Sequence, residues 1–395
     1  MAAADPPPRG TVRNPGSPSA LRRLNQRRVV DALLAGGPAT QAGLSRRTGL
    51  STATVSNIVK DLLASGDAAV SPTTSSGRRA LLVSLTPPSG LAIGMDFGRR
   101  HLRVLAATRG YEIVAEQEAE LAAGYHPQQG LDRADELLAK VLVAAGAQRQ
   151  DILGLGVGIP GPLDRRTGTA IGGTIHPEWV GIAVPELFRQ RFGLPVFVDN
   201  DCNLGALAEV TWGSHRSVEN LVFVKIGTGV GAGLILNGAP FYGSIGVTGE
   251  LGHLTLDDRG QVCRCGNRGC LETFASTDVI LHLLDGRTPG KLTTEAVVQM
   301  ALGGDAATLR VIDDAGYSVG RALGLLANLI NPEVIVVGGP LSGLGETLLA
   351  PVRRGLQRYA MPAVGNSTTV AMTELSEQAE ALGAATLVIR SSVRP

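Results

Sequence analysis

The same layout occurs twice in this chain, and that repetition limits what it can fold into more than any other feature. Residues 91–108, LAIGMDFGRRHLRVLAAT, read as a buried strand, a turn at Asp96-Phe97-Gly98 and a returning strand. Residues 221–238, LVFVKIGTGVGAGLILNG, repeat strand, glycine-rich turn and strand. The echo predicts two related α/β lobes. Further apolar strands at Ile152–Ile159, Val196–Val198 and Val334–Val337 run into Pro160-Gly161-Pro162, Asp199-Asn200-Asp201 and Gly338-Gly339. Polar or glycine segments at strand ends are where α/β folds hold ligands. Leu323–Leu329 reads as a helix, and Ser376–Ile389 as a last helix that packs back on the first lobe.

The segment ahead of these lobes has a different character. Residues 1–86 carry eleven Arg or Lys against four Asp, a net of +7, so the neutral-looking total of +1 leaves −6 for the rest. A basic head on an acidic body fits a polyanion partner, because neutralised phosphates supply most non-specific DNA affinity. Residues 1–20 hold five prolines and little that packs, and are assigned as a disordered tail. From Leu21, the residues Leu24, Val29, Val30, Leu33 and Leu34 approximate helical spacing, stopped by Gly36-Gly37-Pro38. Thr40 is placed to cap a second helix to about Thr48, Gly49 to make a turn, and Ser51 to cap a third from Thr52 to about Ser65. That third helix is expected to bury Val55, Ile58, Val59, Leu62 and Leu63. Ala68–Val70 and Ala80–Leu85 then read as a hairpin with Gly77-Arg78-Arg79 at its tip. Helix, glycine turn, helix and basic wing together predict a winged helix-turn-helix, with a three-helix interaction module as the blander reading. Its candidate DNA contacts are Arg46, Arg47, Ser51, Thr52, Thr54, Ser56, Asn57 and Lys60, with Arg78 and Arg79 on the wing.

Length and composition remove other classes. The 395 residues suit two or three domains of roughly 150 residues. No apolar run reaches the ~18 residues of a membrane span, and Met1–Gly10 lacks a basic stretch followed by an apolar one. A cytoplasmic protein without membrane contact is expected. Four cysteines are too few for a disulfide framework, and Cys263, Cys265 and Cys270 crowd together. With His253 they give three thiolates and an imidazole within eighteen residues, a complete tetrahedral set for a structural Zn2+. No position is left for a catalytic water, which argues against a zinc hydrolase. Glu250 and Glu272 flank the set and are carried close to it.

These motifs resemble the ROK family of sugar kinases and sugar-responsive transcription regulators. The resemblance runs from about Leu21 to about Ile389 and rests on Gly158-Ile-Pro-Gly161-Pro-Leu-Asp, Val198-Asp-Asn200-Asp201-Cys-Asn203, Gly227-Thr-Gly-Val-Gly231, Glu250-Leu-Gly-His253 and Cys263-Arg-Cys265-Gly-Asn-Arg-Gly-Cys270-Leu-Glu272. It implies a two-lobed, actin-like α/β body of the sugar-kinase or RNase H-like type, preceded by the α+β winged helix-turn-helix of the regulator branch. The divisions expected are a tail at 1–20, a DNA-binding domain at 21–86, a first lobe at 90–199 plus 376–392, and a second lobe at 200–375 with the zinc loop.

The resemblance further implies that Gly161, Asn200, Asp201, Glu250, His253 and Glu272 meet sugar hydroxyls. In a kinase, Asp201 would be the general base, and Asp96, Gly98, Gly227, Thr228 and Gly229 would approach the phosphates of Mg-ATP. Here Asp96-Phe97-Gly98 runs into Arg99-Arg100-His101, bulky residues where the kinase branch has small ones. The expectation is therefore a DNA-binding regulator, most simply a repressor, that binds an operator as a homodimer or homotetramer and senses a sugar or sugar phosphate. An ATP-dependent sugar kinase with an attached DNA-binding head is the alternative.

Overall fold

The computed structural model describes residues 18–64, 67–75, 78–85, 90–172, 177–286 and 291–392. The predicted tail up to Ser17, the hairpin tip at Gly77 and the Pro87-Pro88 linker lie outside them, as do the side chains of Leu34, Arg78 and Arg79. The chain divides into two compact units, with the break between Pro88 and Ser89. No described helix is long and apolar enough to cross a membrane.

In the first unit, helices span Pro18–Gly36, Gln41–Thr48 and Thr52–Ala64. The first begins within the stretch to Ala20 that the sequence reading gives to the tail. Thr40 Oγ1 accepts from the Gly43 amide at 3.2 Å and caps the second helix, while Gly49, at φ +70°, closes it. Ser51 Oγ accepts from the Thr54 amide at 3.1 Å at the head of the third. Val29, Val30, Leu33, Leu44, Val55, Ile58, Val59 and Leu62 form the core. Two expected core residues do not join it. Leu63 is 37% exposed because it sits about 100° around the helix from Leu62. Leu24 is 56% exposed because five residues, about 140° of rotation, separate it from Val29. The wing strands, Ala68–Ser75 and Arg78–Leu85, are longer than the sequence pattern predicts, and a short strand, Ala39–Thr40, pairs with Leu82 and Val83 on their far side. Two residues are too few to reveal a strand by alternation.

The second unit is the two-lobed α/β body, and its two sheets follow one plan. In the first, Leu91–Phe97 is central, antiparallel to His101–Thr108, which pairs in turn with Ile113–Glu120; Ile152–Ile159 and Val196–Asn200 add in parallel on the other side. In the second, Leu221–Ile226 is central, with Val230–Leu236 and Ala239–Pro240 antiparallel on one side and Val334–Gly338 and Thr369–Met372 parallel on the other. The repeated hairpin read in the sequence is thus the nucleus of both sheets. Each sheet has its own apolar core, and helix Ala306–Ile330, which includes the predicted Leu323–Leu329, covers the second.

The last helix runs Ala379–Ser392, with Ser376–Gln378 forming only a short 3-10 turn before it. It lies against the first sheet and against helix Asp201–Glu209 so closely that side chains are excluded. A Cβ on Gly94 would stand 2.0 Å from the Ala381 carbonyl oxygen, one on Gly156 1.9 Å from that of Ala384, and one on Gly383 2.0 Å from that of Leu204. This backbone contact brings Glu380 against the ends of the central strands.

Candidate functional site

A cleft of about 630 Å³ opens where strand ends of both sheets converge, and residues of both lobes line it. Gly161, Asn200, Asp201, Glu250, His253 and Glu272, all singled out in the sequence, lie on its walls. Asn200 ends a strand and begins a helix. Its Oδ1 caps that helix by accepting from the Cys202 and Asn203 amides at 2.9 and 3.2 Å, while its Nδ2 donates to the Gly161 carbonyl at 3.0 Å. Gly161 reaches that position at φ +94°, a conformation side chains rarely adopt. Behind them Asp199 acts as a brace. Its Oδ1 accepts from the Asn200 amide and from Asn203 Nδ2, and its Oδ2 from the Tyr242 hydroxyl at 2.7 Å. Burial pushes the Asp199 carboxyl up, against the pull of these donors.

Asp201 is engaged on both oxygens. Oδ1 accepts from Asn200 Nδ2 at 3.0 Å and from the Cys202 amide at 2.9 Å, and Oδ2 accepts from Lys225 Nζ at 3.1 Å. Lys225 also lies 3.0 Å from Glu380 Oε1. Glu250 stands opposite, its carboxyl pushed up to about 7 by burial and by the charges of Asp201 and Glu272. A carboxyl accepts from hydroxyl groups and, where it carries its proton, also donates to them, which suits a wall facing a sugar.

The cysteine loop brings its four ligand atoms within 4.8 Å of one another. Cys265 Sγ and Cys270 Sγ are 3.7 Å apart, and Cys263 Sγ is 3.5 Å from His253 Nδ1. Two sulfurs about 2.3 Å from a tetrahedral zinc stand about 3.8 Å apart, and a sulfur and a nitrogen about 3.6 Å apart. Both spacings and the donor set fit zinc, with Nδ1 as the imidazole ligand. His253 Nε2 then faces Glu250, 3.8 Å away. The loop turns tightly at Gly269, where a Cβ would fall 1.6 Å from the Asp257 carbonyl oxygen. Glu272 is held by Arg264 Nε at 2.7 Å, and Arg264 also donates to the Thr228 carbonyl at 3.1 Å.

Of the residues considered for phosphate, Gly98, Gly227, Thr228 and Gly229 line the cleft, whereas Asp96 is buried beneath it. The His101 ring lies over Gly98, 2.0 Å from where a Cβ would stand, and its Nε2 is 2.9 Å from Asp96 Oδ2. Arg99 pairs across the cleft with Asp278 at 2.5 Å, and Arg100 lines the wall. Sequence reasoning missed Lys225, Glu380, Arg264 and Asp278. Lys225 alone left a signal, as a charge inside the apolar strand Leu221–Ile226.

In the first unit, Ser51, Thr52, Asn57 and Lys60 are exposed on or beside the third helix, with Thr54 and Ser56 half-buried. Arg46 is exposed at the end of the second helix. Arg47 has a structural task, donating to the Gly36 and Gly37 carbonyls at 3.1 and 3.3 Å.

Known proteins share both units. Residues 22–79 match the MarR family. The xylose repressor of Caldicellulosiruptor bescii is 28% identical over 391 residues, covering 95% of this chain and 97% of that protein. The crystal structure of a ROK family transcriptional regulator, homologous to the E. coli Mlc protein, superposes with a TM-score of 0.78 at 26% identity, over 94% of this chain and 96% of that one. A ROK family glucokinase from Streptomyces griseus, in complex with glucose and AMPPNP, gives 0.68 at 25% identity, over 75% of this chain and 99% of that one. The body itself, residues 92–391, matches the ROK family model, and the chain belongs to the ROK family.

Proposed function

We propose that this chain is a DNA-binding transcriptional regulator, a repressor in the simplest case, whose body binds a sugar or sugar derivative and thereby changes affinity for an operator. The observation that carries the reading is that one chain joins a winged helix-turn-helix with exposed Thr52, Asn57 and Lys60 to a cleft walled by Asn200, Asp201, Glu250, His253 and Glu272. Carboxylates accept from vicinal hydroxyls, and an imidazole tied through Nδ1 keeps Nε2 for the ligand. A structural zinc on His253, Cys263, Cys265 and Cys270 fixes the loop that carries Glu272. The xylose repressor and the Mlc-like regulator, which match over nearly the whole chain, support the reading.

The divisions expected from the sequence fit this reading: a DNA-binding domain at 21–86, a first lobe at 90–199 plus 376–392 and a second lobe at 200–375. On this reading the protein works in the cytoplasm, and a two-fold operator asks for a homodimer or homotetramer. For a kinase, Asp201 would serve as base and Mg-ATP would lie along Gly98 and Gly227–Gly229. The His101 ring over Gly98 and the Arg99–Asp278 pair weigh against that alternative.

The deciding experiment titrates operator DNA with the zinc-loaded chain in the presence of monosaccharides and their phosphates, with Mg-ATP present and ADP followed in parallel. One sugar is expected to shift operator affinity by about 5- to 150-fold, the usual range of coupling between sites, without ADP release. A chain truncated before Leu91 should keep that sugar and lose the DNA. Sugar-dependent ADP release that disappears in Asp201→Asn would make the protein a kinase instead.

A further inference from the structure

Lys225 stands where the buried carboxylates of the body converge. It is one of only four lysines in the chain and occupies the fifth position of a strand whose other members, Leu221 to Val224 and Ile226, are all buried. Nothing in a strand leading to a glycine turn calls for an ammonium group. Its Nζ lies 3.1 Å from Asp201 Oδ2 and 3.0 Å from Glu380 Oε1, and the three side chains are only 13%, 10% and 5% exposed. Asp201 begins a helix, Glu380 lies in the first turn of the last helix, and Lys225 leads into the turn Gly227–Gly229. Three separate parts of the body therefore meet at one nitrogen.

The surroundings are more acidic than this pair alone. Asp96, at the end of the central strand of the first sheet, is close enough for its charge and that of Lys225 to act on each other. His101 holds Asp96 Oδ2, while Asp96 Oδ1 is buried without a hydrogen-bond partner among the described residues. Burial alone would drive the proton off Lys225. The charges of Glu380, Asp201 and Asp96 outweigh it and hold the ammonium well above its ordinary range. Two carboxylates on one point, with the charge of a third acting on it and an oxygen of that third to spare, resemble the oxygen-rich surroundings of a hard divalent cation. Here the point already carries a positive charge, supplied by the chain.

We propose that Lys225 is a built-in cation: its ammonium takes the place between Asp201 and Glu380 that a divalent metal ion would need, so that the cleft recognises its ligand without Mg2+. Lys225 is thus a positioning residue, holding Asp201 Oδ2 while Asn200 and Cys202 hold Oδ1, and presenting that carboxylate in one orientation. It also makes the cleft a poor fit for the metal of Mg-ATP, whatever nucleotide the glycine turns could approach. The inference rests on the sugar-binding reading for its meaning, but its test needs no sugar.

The test is uptake of Mn2+ alone by the full-length, zinc-loaded chain, read from the electron paramagnetic resonance signal of the free ion. Mn2+ prefers oxygen ligands and leaves the thiolate site to zinc. Wild type and Lys225→Arg are expected to take up none in this cleft. Lys225→Ala should gain about one site per chain, roughly tenfold or more tighter than any wild-type uptake, which adding Asp201→Asn removes again. Removing Lys225 leaves buried carboxylates unpaired and could prevent folding. In that event Lys225→Gln, refolded with Mn2+ present, carries the same test with both carboxylates kept and a neutral amide to hydrogen-bond them.

A lysine-free variant that binds no more Mn2+ than its parent overturns the proposal. So does a wild-type site for Mn2+ that Asp201→Asn abolishes. Failure of the regulator reading shows instead in the operator titration, where no sugar changes DNA affinity, and leaves the Mn2+ result standing.

Discussion

His101 Nε2 lies 2.9 Å from Asp96 Oδ2, and the imidazole that makes this contact covers the backbone at Gly98. Burial disfavours a charge on the ring, but the hydrogen bond to Asp96 and its negative charge prevail and raise the His101 pKa. A raised histidine pKa stabilises the fold fully below the unfolded-state value of about 6.5, and that stability is lost as pH rises through the folded value. His101→Ala should therefore cost more at pH 6 than at pH 9. Because the side chain is 40% exposed, the difference is on the order of 1 kcal/mol, read by urea unfolding at the two pH values. An equal cost at both would show that the ring acts by packing alone.

Loss of the metal should reach the ligand. Cys263→Ser removes one of four donors, and the zinc content by elemental analysis is expected to fall from about one per chain to well below half. Sugar affinity should fall with it, by about tenfold or more, because Glu272 and His253 are held by the same loop. A metal-free variant with normal sugar affinity would separate the two.

On the DNA-binding head, Lys60→Ala should reduce the slope of log K against log salt by about 1, affecting operator and random DNA alike. Asn57→Ala should cost about 1–3 kcal/mol on the operator and little on random DNA. Arg47, which ties down Gly36 and Gly37, should act through the melting temperature instead.

Glu209 is a buried carboxyl with a bond from the Thr373 hydroxyl at 2.5 Å. Burial pushes it up to about 7, against the pull of that bond, and the charges of Glu374 and Glu380 add to the rise. An acid with a raised folded value stabilises the fold at low pH and loses that stability as pH climbs from about 4.5 to 7. Glu209→Gln is thus expected to be near neutral at pH 5 and to gain about 1–3 kcal/mol relative to wild type at pH 8, measured by urea unfolding.

The sequence carried the repeated hairpins because each is a local pattern, an apolar strand, a glycine turn and another strand within eighteen residues. Thr40 and Ser51 were legible for the same reason, since a cap acts three residues away. Leu24 and Leu63 were misread because apolar character alone does not say which side of a helix faces inward. The cleft divides along the same line. Asn200, Asp201 and the zinc ligands sit in compact motifs, whereas Lys225 and Glu380 are 155 positions apart and Arg99 and Asp278 are 179 apart. Such pairs exist only once both sheets are folded and the last helix has returned, and no spacing rule finds them.

The last helix meets its neighbours through Gly94, Gly156 and Gly383, where backbone touches backbone. A contact of this kind leaves no slack. The helix is clamped through its own backbone, with Leu382, Val388 and Ile389 buried around the clamp and Thr386 held by Trp212 Nε1 at 2.8 Å. Glu380 is carried by that clamp with its grip on Lys225, so the charge it presents to the ligand wall is set by the seating of the whole helix. A methyl group at any of the three glycines would have to push backbone aside, so it would be felt first as a loss of stability and, where the fold survives, as a Glu380 lifted away from Lys225.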